Sequence, residues 1–407
     1  MKTFDALIIG EDFAARETAN LLSSSGKKIG IIVPEVSRLV RVDHVLKFLK
    51  SESSLSVEHP FPPTMEIITG SPVFTDPHTV LVNNQTLQAK MFLIATGAAP
   101  YFPPVQGLDE IHPRSTFDFI SDEKKPRSLI IVGAGPLGVA TAFFAAERKI
   151  DTTLIGNKSE VLPEEEPEIS AAVMENLARQ KIRTLLGASL ILVKKEGKLT
   201  SLVYEKDGVR EEIKAEMLVF STGLTPLTEE LALHVPRAYV TSEKNIVVDE
   251  DQRTSCPWIF AAGTVTGIKA GTAVMKRQAD VAAHNMTALF FSKIKMEPGH
   301  PPFTIPMTIP SARTGHTEKQ AREEYRDIRV SLTNTPEGLI KLVGRKKGSR
   351  ILGAHILSPQ SESAILFFDL AIRAEISALD LLDSHSYPLD TFAETIHQSL
   401  KSWTQSF

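Results

Sequence analysis

The sequence predicts an α/β protein built of two doubly wound units, the second inserted in the first, followed by a smaller α+β domain. Three observations carry that prediction. An apolar strand runs into a glycine turn and then a helix at two places, Ala6-Leu7-Ile8-Ile9-Gly10-Glu11-Asp12-Phe13-Ala14-Ala15 and Leu129-Ile130-Ile131-Val132-Gly133-Ala134-Gly135-Pro136-Leu137-Gly138. The marks that follow each turn recur at matching distances. From Gly10 to Val33 is 33 − 10 = 23 residues, and from Gly133 to Gly156 is 156 − 133 = 23. Ile94-Ala95-Thr96-Gly97-Ala98-Ala99-Pro100 is echoed by Phe220-Ser221-Thr222-Gly223-Leu224-Thr225-Pro226, at offsets of 96 − 10 = 86 and 222 − 133 = 89. Finally, Ile246-Val247-Val248-Asp249 through Ile259-Phe260-Ala261-Ala262-Gly263 reads as a return of the chain to the first sheet.

Each unit has the form of a dinucleotide-binding (Rossmann-like) domain. There the pyrophosphate rests on the helix N-terminus, and the middle glycine is bare so that it can approach. The second turn keeps Gly133, Gly135 and Gly138; in the first, Asp12 stands at the middle position. The boundaries expected are 1–125 and 236–299 for the first domain, 126–235 for the second and 300–407 for the third.

In chain order, helical spacing over Phe13 to Leu22 and the apolar run Ile29 to Val33 complete the first β-α-β unit. A basic amphipathic stretch follows over residues 40–50, then short strands and turns over 65–89, punctuated by Asp76-Pro77 and Asn83-Asn84. In the second unit Pro167 opens a helix, Lys206-Asp207-Gly208 turns a hairpin, and the acidic run Glu164-Glu165-Glu166 with Glu168 reads as dipole-complementing charge at that helix start. Proline-rich residues 300–310 link to the third domain, where 328–332, 339–343 and 351–357 alternate like antiparallel strands and 363–374 form an amphipathic helix. Gly344-Arg345-Lys346-Lys347-Gly348-Ser349-Arg350 reads as a solvated basic turn.

Composition excludes several function classes. With 42% hydrophobic and 23% charged residues and a net charge of −4, the chain offers no general field for nucleic acid or anionic membrane. No apolar run reaches bilayer-spanning length, and Met1-Lys2-Thr3-Phe4 enters a strand without a signal peptide, so a cytoplasmic location is expected. The single cysteine, Cys256, excludes an intramolecular disulfide and reads as a buried, inert thiol. No metal site is expected.

Taken together, these marks resemble the pyridine nucleotide-disulfide oxidoreductases, on the dihydrolipoamide dehydrogenase and mercuric reductase branch. The likeness extends through Arg253-Thr254-Ser255-Cys256-Pro257-Trp258, Ala312-Arg313-Thr314-Gly315-His316-Thr317-Glu318 and Ile351-Leu352-Gly353-Ala354-His355-Ile356-Leu357, the last in a domain that the family uses to dimerise. The resemblance implies hydride transfer from NAD(P)H to FAD, then to a cysteine pair served by a His-Glu dyad from the partner subunit.

Several positions depart from that pattern. The region after Glu35 holds no cysteine pair; the family's His-Pro is Tyr387-Pro388, and the glutamate expected five residues after that histidine is Phe392. His385, Tyr387 and Glu394 are what remain as acid-base candidates. For FAD, the resemblance assigns Gly10, Ala15, Glu35, Thr96, Gly97, Gly263 and Thr264, but Thr264 replaces an aspartate and Asp12 faces the phosphate. At about 4 Å and an effective dielectric of about 20, that repulsion is about 4 kcal/mol. A lost charge-assisted bond at Thr264 adds about 1.5–3 kcal/mol. The sum, about 6 kcal/mol, weakens FAD binding by roughly four orders of magnitude.

For NAD(P) the assigned residues are Gly133, Gly135, Pro136, Leu137, Gly138, Lys158, Thr222 and Gly223. Lys158 can reach a ribose 2′-phosphate, and no acid at Gly156 repels one.

Three functions remain open on the sequence. One is a catalytically retired homodimer, paired through its C-terminal domain, that still binds NAD(P). Another is an FAD-dependent NAD(P)H oxidoreductase with a non-thiol acceptor. The last is an interaction scaffold that binds no nucleotide.

Overall fold

The first sheet grows from the strand Lys2–Ile9, whose second half is fully buried and which pairs in parallel with Ile29–Val33 on one side and Gln85–Ile94 on the other. Continuous apolar runs of this kind suit a parallel sheet covered on both faces. The computed structural model describes residues 1–35, 61–122, 125–267, 271–288, 292–297, 299, 301–335, 338–383 and 391–405. The basic stretch expected over 40–50 lies outside the described residues.

Glu66–Thr69 extends this sheet beyond Ile29–Val33, and Thr79–Val82 with Val73–Asp76 extend it antiparallel beyond Gln85–Ile94. The return expected of the chain is made by Ile259–Ala261, which pairs in parallel with Phe92 to Ile94. Helices Phe13–Leu22 and Thr272–Thr287 pack together on one face, closing a core of Ala14, Ala15, Ala19, Ala279 and Ala282 against Ile8 and Ile31.

The second sheet is parallel throughout, in the order Arg183–Leu186, Asp151–Gly156, Ser128–Val132, Met217–Phe220, Arg114–Ser115. A three-stranded antiparallel sheet, residues 189–215, is attached, with its hairpin at Asp207-Gly208 as expected. The C-terminal sheet has five antiparallel strands, Phe303–Ile305, Ser311–Gly315, Ile351–Leu357, Gly338–Arg345 and Ile328–Thr335, in that spatial order. Helices Ser361–Arg373 and Thr391–Gln405 cover it.

Compact units divide the chain at Tyr101/Phe102, Thr222/Gly223 and Pro298/Gly299, where the sequence suggested 125/126, 235/236 and 299/300. Strand pairing explains the difference. Arg114–Ser115 is an edge strand of the second sheet, whereas Leu224–Pro226 pairs with Ala98–Pro100 in a separate two-stranded sheet that belongs to the first compact unit. Residues after Gly299 pack into one unit with the second sheet.

Trp403 anchors the C-terminal domain. It is fully buried, its indole N–H donates to the Arg329 carbonyl at 3.4 Å, and the Arg329 guanidinium lies 5.3 Å from its ring centroid. Trp403→Ala should cost about 3–5 kcal/mol of stability. Urea unfolding followed on the C-terminal domain checks this, and a loss below about 1 kcal/mol would contradict the packing described.

Candidate functional site

In the second unit, the strand Ser128–Val132 ends at the glycine turn and the helix Pro136–Glu147 begins with Gly135 as N-cap and Pro136 in its first turn. Proline is tolerated there because its missing N–H would have had no helical acceptor. From Gly138 to Ala145 every residue of this helix is buried, so packing fixes where its N-terminus points.

The three glycines are present for different reasons. Gly133 has φ +112°, and a β-carbon on it would sit 2.4 Å from the Ser221 carbonyl oxygen. On Gly138 a β-carbon would meet the Gly133 carbonyl oxygen at 1.8 Å. Both are required by the fold. Gly135 has ordinary extended backbone at φ −80°, and no described atom lies within 4 Å of where its β-carbon would be. The space beside the helix N-terminus is open, and the first N–H groups of a helix have no helical acceptor.

The rest of the second-unit candidates surround this opening unevenly. Pro136 and Leu137 are half-buried, and the Leu137 carbonyl accepts the Thr141 hydroxyl at 2.6 Å. Gly156 packs against Ala134, and two residues beyond it Lys158 is exposed. Thr222 is half-buried at the end of Met217–Phe220, while Gly223 belongs to the first compact unit.

Asp12 takes the corresponding place in the first unit. It is the N-cap of Phe13–Leu22, as Gly135 is of its helix, and it is 4% exposed. Its Oδ1 accepts the Ala15 N–H at 2.8 Å. Its Oδ2 reaches the Gly263 turn, close enough that a β-carbon on Gly263 would lie 2.1 Å away. The carboxylate is therefore turned inward, onto the helix N-terminus.

Other residues assigned to FAD are engaged within the same unit. The Thr96 hydroxyl donates to the Leu227 carbonyl at 2.7 Å and the Gly97 carbonyl accepts the Leu227 N–H at 3.0 Å. Gly10 packs against the Ala95 carbonyl. Buried Gln278 accepts the Gly263 N–H at 3.0 Å and donates to Thr266, fixing the turn in which Thr264 is half-buried. Glu35 is exposed, with Asn83 Nδ2 at 3.5 Å.

His385 and Tyr387 lie outside the described residues; Glu394 is exposed on Thr391–Gln405 and accepts from Gln398 at 3.3 Å. Cys256 is buried in the first core, its backbone N–H bonded to the Thr254 hydroxyl at 3.1 Å.

The family model described as pyridine nucleotide-disulphide oxidoreductase matches residues 4–287, and the model of that family's dimerisation domain matches residues 302–400. The chain belongs to this family. Mercuric reductase of Bacillus cereus is 31% identical over 343 residues, 81% of this chain and 53% of the relative. Mercuric reductase of Staphylococcus aureus is 29% identical over 81% of this chain and 62% of its own length. The chain thus spans less than two thirds of the length of these two relatives. Dihydrolipoyl dehydrogenase of Geobacillus stearothermophilus is 28% identical, over 80% of this chain and 72% of its own. Among solved structures, the Cu(II) complex of the HOCl-induced flavoprotein disulfide reductase RclA from Escherichia coli superimposes with a TM-score of 0.85 at 20% identity, covering 98% and 99% of the two chains, a likeness of fold.

A further cluster, not singled out from the sequence, ties the second unit to the dimerisation domain. The acidic run stands at a helix start as expected, with Glu166 as N-cap of Pro167–Arg179 and Glu168 in its first turn, and its side chains also pair with basic residues far along the chain. Lys341, in a strand otherwise buried and apolar, points its ammonium at Glu166 (2.7 Å), Glu168 (2.8 Å) and Glu318 (2.9 Å), and Arg313 pairs with Glu165 at 2.8 Å. A lysine inside Leu339-Ile340-Lys341-Leu342-Val343 was the available signal, since a buried charge needs partners. Burial opposes the Lys341 charge, but the hydrogen bonds that it donates to the three carboxylates outweigh it and hold its pKa above the ordinary lysine value.

Glu165 is raised by burial, partly offset by Arg313. His355, fully buried, donates from Nε2 to the His316 carbonyl at 3.0 Å, with Glu166 at 3.6 Å; burial outweighs that neighbour and pushes the imidazole down to about 4.

His355 is therefore neutral in the native chain and gains a proton on unfolding below its ordinary pKa near 6.5. Its contribution to stability is complete above pH ~6.5 and is lost as pH falls towards about 4, whereas the raised Glu165 works in the opposite sense. His355→Gln should flatten the fall of Tm across this window; parallel Tm-against-pH curves for the two proteins would refute it.

Proposed function

We propose that the chain is a family member without thiol-disulfide chemistry, which binds a nicotinamide dinucleotide in its second unit and whose own carboxylate closes the flavin place of the first. The observation that carries this reading is the contrast between two equivalent N-caps. Nothing among the described residues crowds Gly135, whereas the Asp12 carboxylate sits on its helix N-terminus and against Gly263.

The residues at the first turn do not fit FAD. A pyrophosphate would have to displace Asp12 from the Ala15 N–H and then lie beside its charge. NAD(P) fits the second turn, with the N–H groups after Gly135 for the pyrophosphate and exposed Lys158 for a ribose 2′-phosphate. A bound reduced nicotinamide supplies a hydride. With Cys256 as the only cysteine, and buried, the chain holds no dithiol to receive electrons.

Calorimetric titration with NADPH and NADH should give a micromolar or weaker site, and the dialysed protein should be colourless. Gly135→Asp installs in the second unit the carboxylate that Asp12 supplies in the first. The repulsion of about 4 kcal/mol should move a micromolar Kd to roughly millimolar. Unchanged affinity in the folded variant would favour the scaffold reading. One flavin retained per chain would favour an FAD-dependent NAD(P)H oxidoreductase with a non-thiol acceptor.

The same reading makes the protein an isologous homodimer through the domain of residues 302–400. Leu366 and Leu370, one turn apart on Ser361–Arg373, are 60% and 64% exposed, an apolar pair suited to a partner surface. Sedimentation should give a dimer at micromolar concentration and a monomer for Leu366→Glu/Leu370→Glu. A monomeric unmutated protein would contradict this.

A further inference from the structure

The nucleotide turn of the second unit is held from behind by a segment under backbone strain. Leu162 is 1% exposed and has φ +49°, in the left-handed region that is strained for a residue with a β-carbon. In this conformation its N–H donates to the carbonyl of Ala134 at 2.9 Å, at the centre of the turn between Gly133 and Gly135. Its own carbonyl accepts the Glu165 N–H at 2.9 Å and the Ser170 hydroxyl at 3.2 Å. A strained backbone persists only where its surroundings over-determine it. Immediately after Leu162 come the acidic side chains pinned by the dimerisation domain: Glu165 by Arg313, Glu166 by Lys341 and the Glu318 N–H, and Glu168 by Lys341.

We propose that Lys341 is a positioning residue for the second-unit nucleotide site. Through Glu166 and Glu168 it holds the Leu162 bend, and through the Leu162 N–H it holds Ala134, so the dimerisation domain sets the shape of the turn that receives the pyrophosphate. This rests on the reading of that turn as an NAD(P) site. Without the Lys341 ammonium, Glu166, Glu168 and Glu318 repel one another, and the segment carrying the first two relaxes from the strained bend. The affinity lost is that of one backbone hydrogen bond at the site, about tenfold in Kd.

The test compares the full-length protein with Lys341→Met, Lys341→Arg and Phe368→Ala, a control that cavitates the C-terminal core away from the acidic segment. Hydrogen exchange at the Leu162 amide, without nucleotide, should speed up in Lys341→Met and stay slow in Lys341→Arg and Phe368→Ala. In NADPH titrations Lys341→Met should raise Kd about tenfold, Lys341→Arg should restore it, and Phe368→Ala should lower Tm without changing Kd. If Lys341→Met does not fold, Glu166→Gln takes its place in both arms with the same expectation.

Unaltered Leu162 exchange in the folded charge variant would overturn the coupling whether or not nucleotide binds. So would an equal acceleration in Phe368→Ala. Altered exchange with unchanged NADPH affinity would overturn the positioning role. Failure of the unmutated protein to bind NADPH would instead overturn the nucleotide reading, leaving the exchange arm to decide the coupling.

Discussion

A helix that starts at the end of a parallel strand leaves its first N–H groups without helical acceptors and carries about half a positive charge at that end. Something negative is stabilised there, and the identity of that group decides what each half of this chain can do. In the first unit the answer is internal. Asp12 caps its helix through the Ala15 N–H and lies against the Gly263 turn. In the second unit the equivalent position is Gly135, which neither caps through a side chain nor is needed for packing.

This asymmetry changes the meaning of the repeated motif. Gly133 and Gly138 would be retained by the fold whether or not a nucleotide ever bound, since a β-carbon on either would collide with backbone. Their presence says little about ligands. Gly135 carries no such obligation among the described residues, which is why the proposed nucleotide site rests on it and not on its neighbours.

The ion cluster around Lys341 shows a second use of charge. Three carboxylates and a histidine converge where a cation would be welcome, and the lysine itself is that cation. Such a cluster is costly to bury and costly to break, so it ties the acidic segment of the second unit to the dimerisation domain with little tolerance for partial loss.

Much of the fold was legible in the residues. The two glycine turns, the matching spacings and the return at Ile259 marked two doubly wound units and their insertion, because strand-turn-helix geometry imposes local requirements that sequence must meet. The absent cysteine pair and the substitution at Asp12 were equally plain. What sequence left open were matters of direction and distance. Whether Asp12 pointed out to solvent or in onto its helix depended on the Gly263 turn, about 250 residues away. That Gly133 serves packing was set by the Ser221 carbonyl, which the chain brings up only after the next strands. The acidic run near Pro167 does stand at a helix start, but its ion-pair partners Arg313 and Lys341 were not legible there, because they are brought up by a domain some 150 residues later in the chain. Local rules determined the elements; long-range packing, through which buried charges find their partners, decided what those elements present.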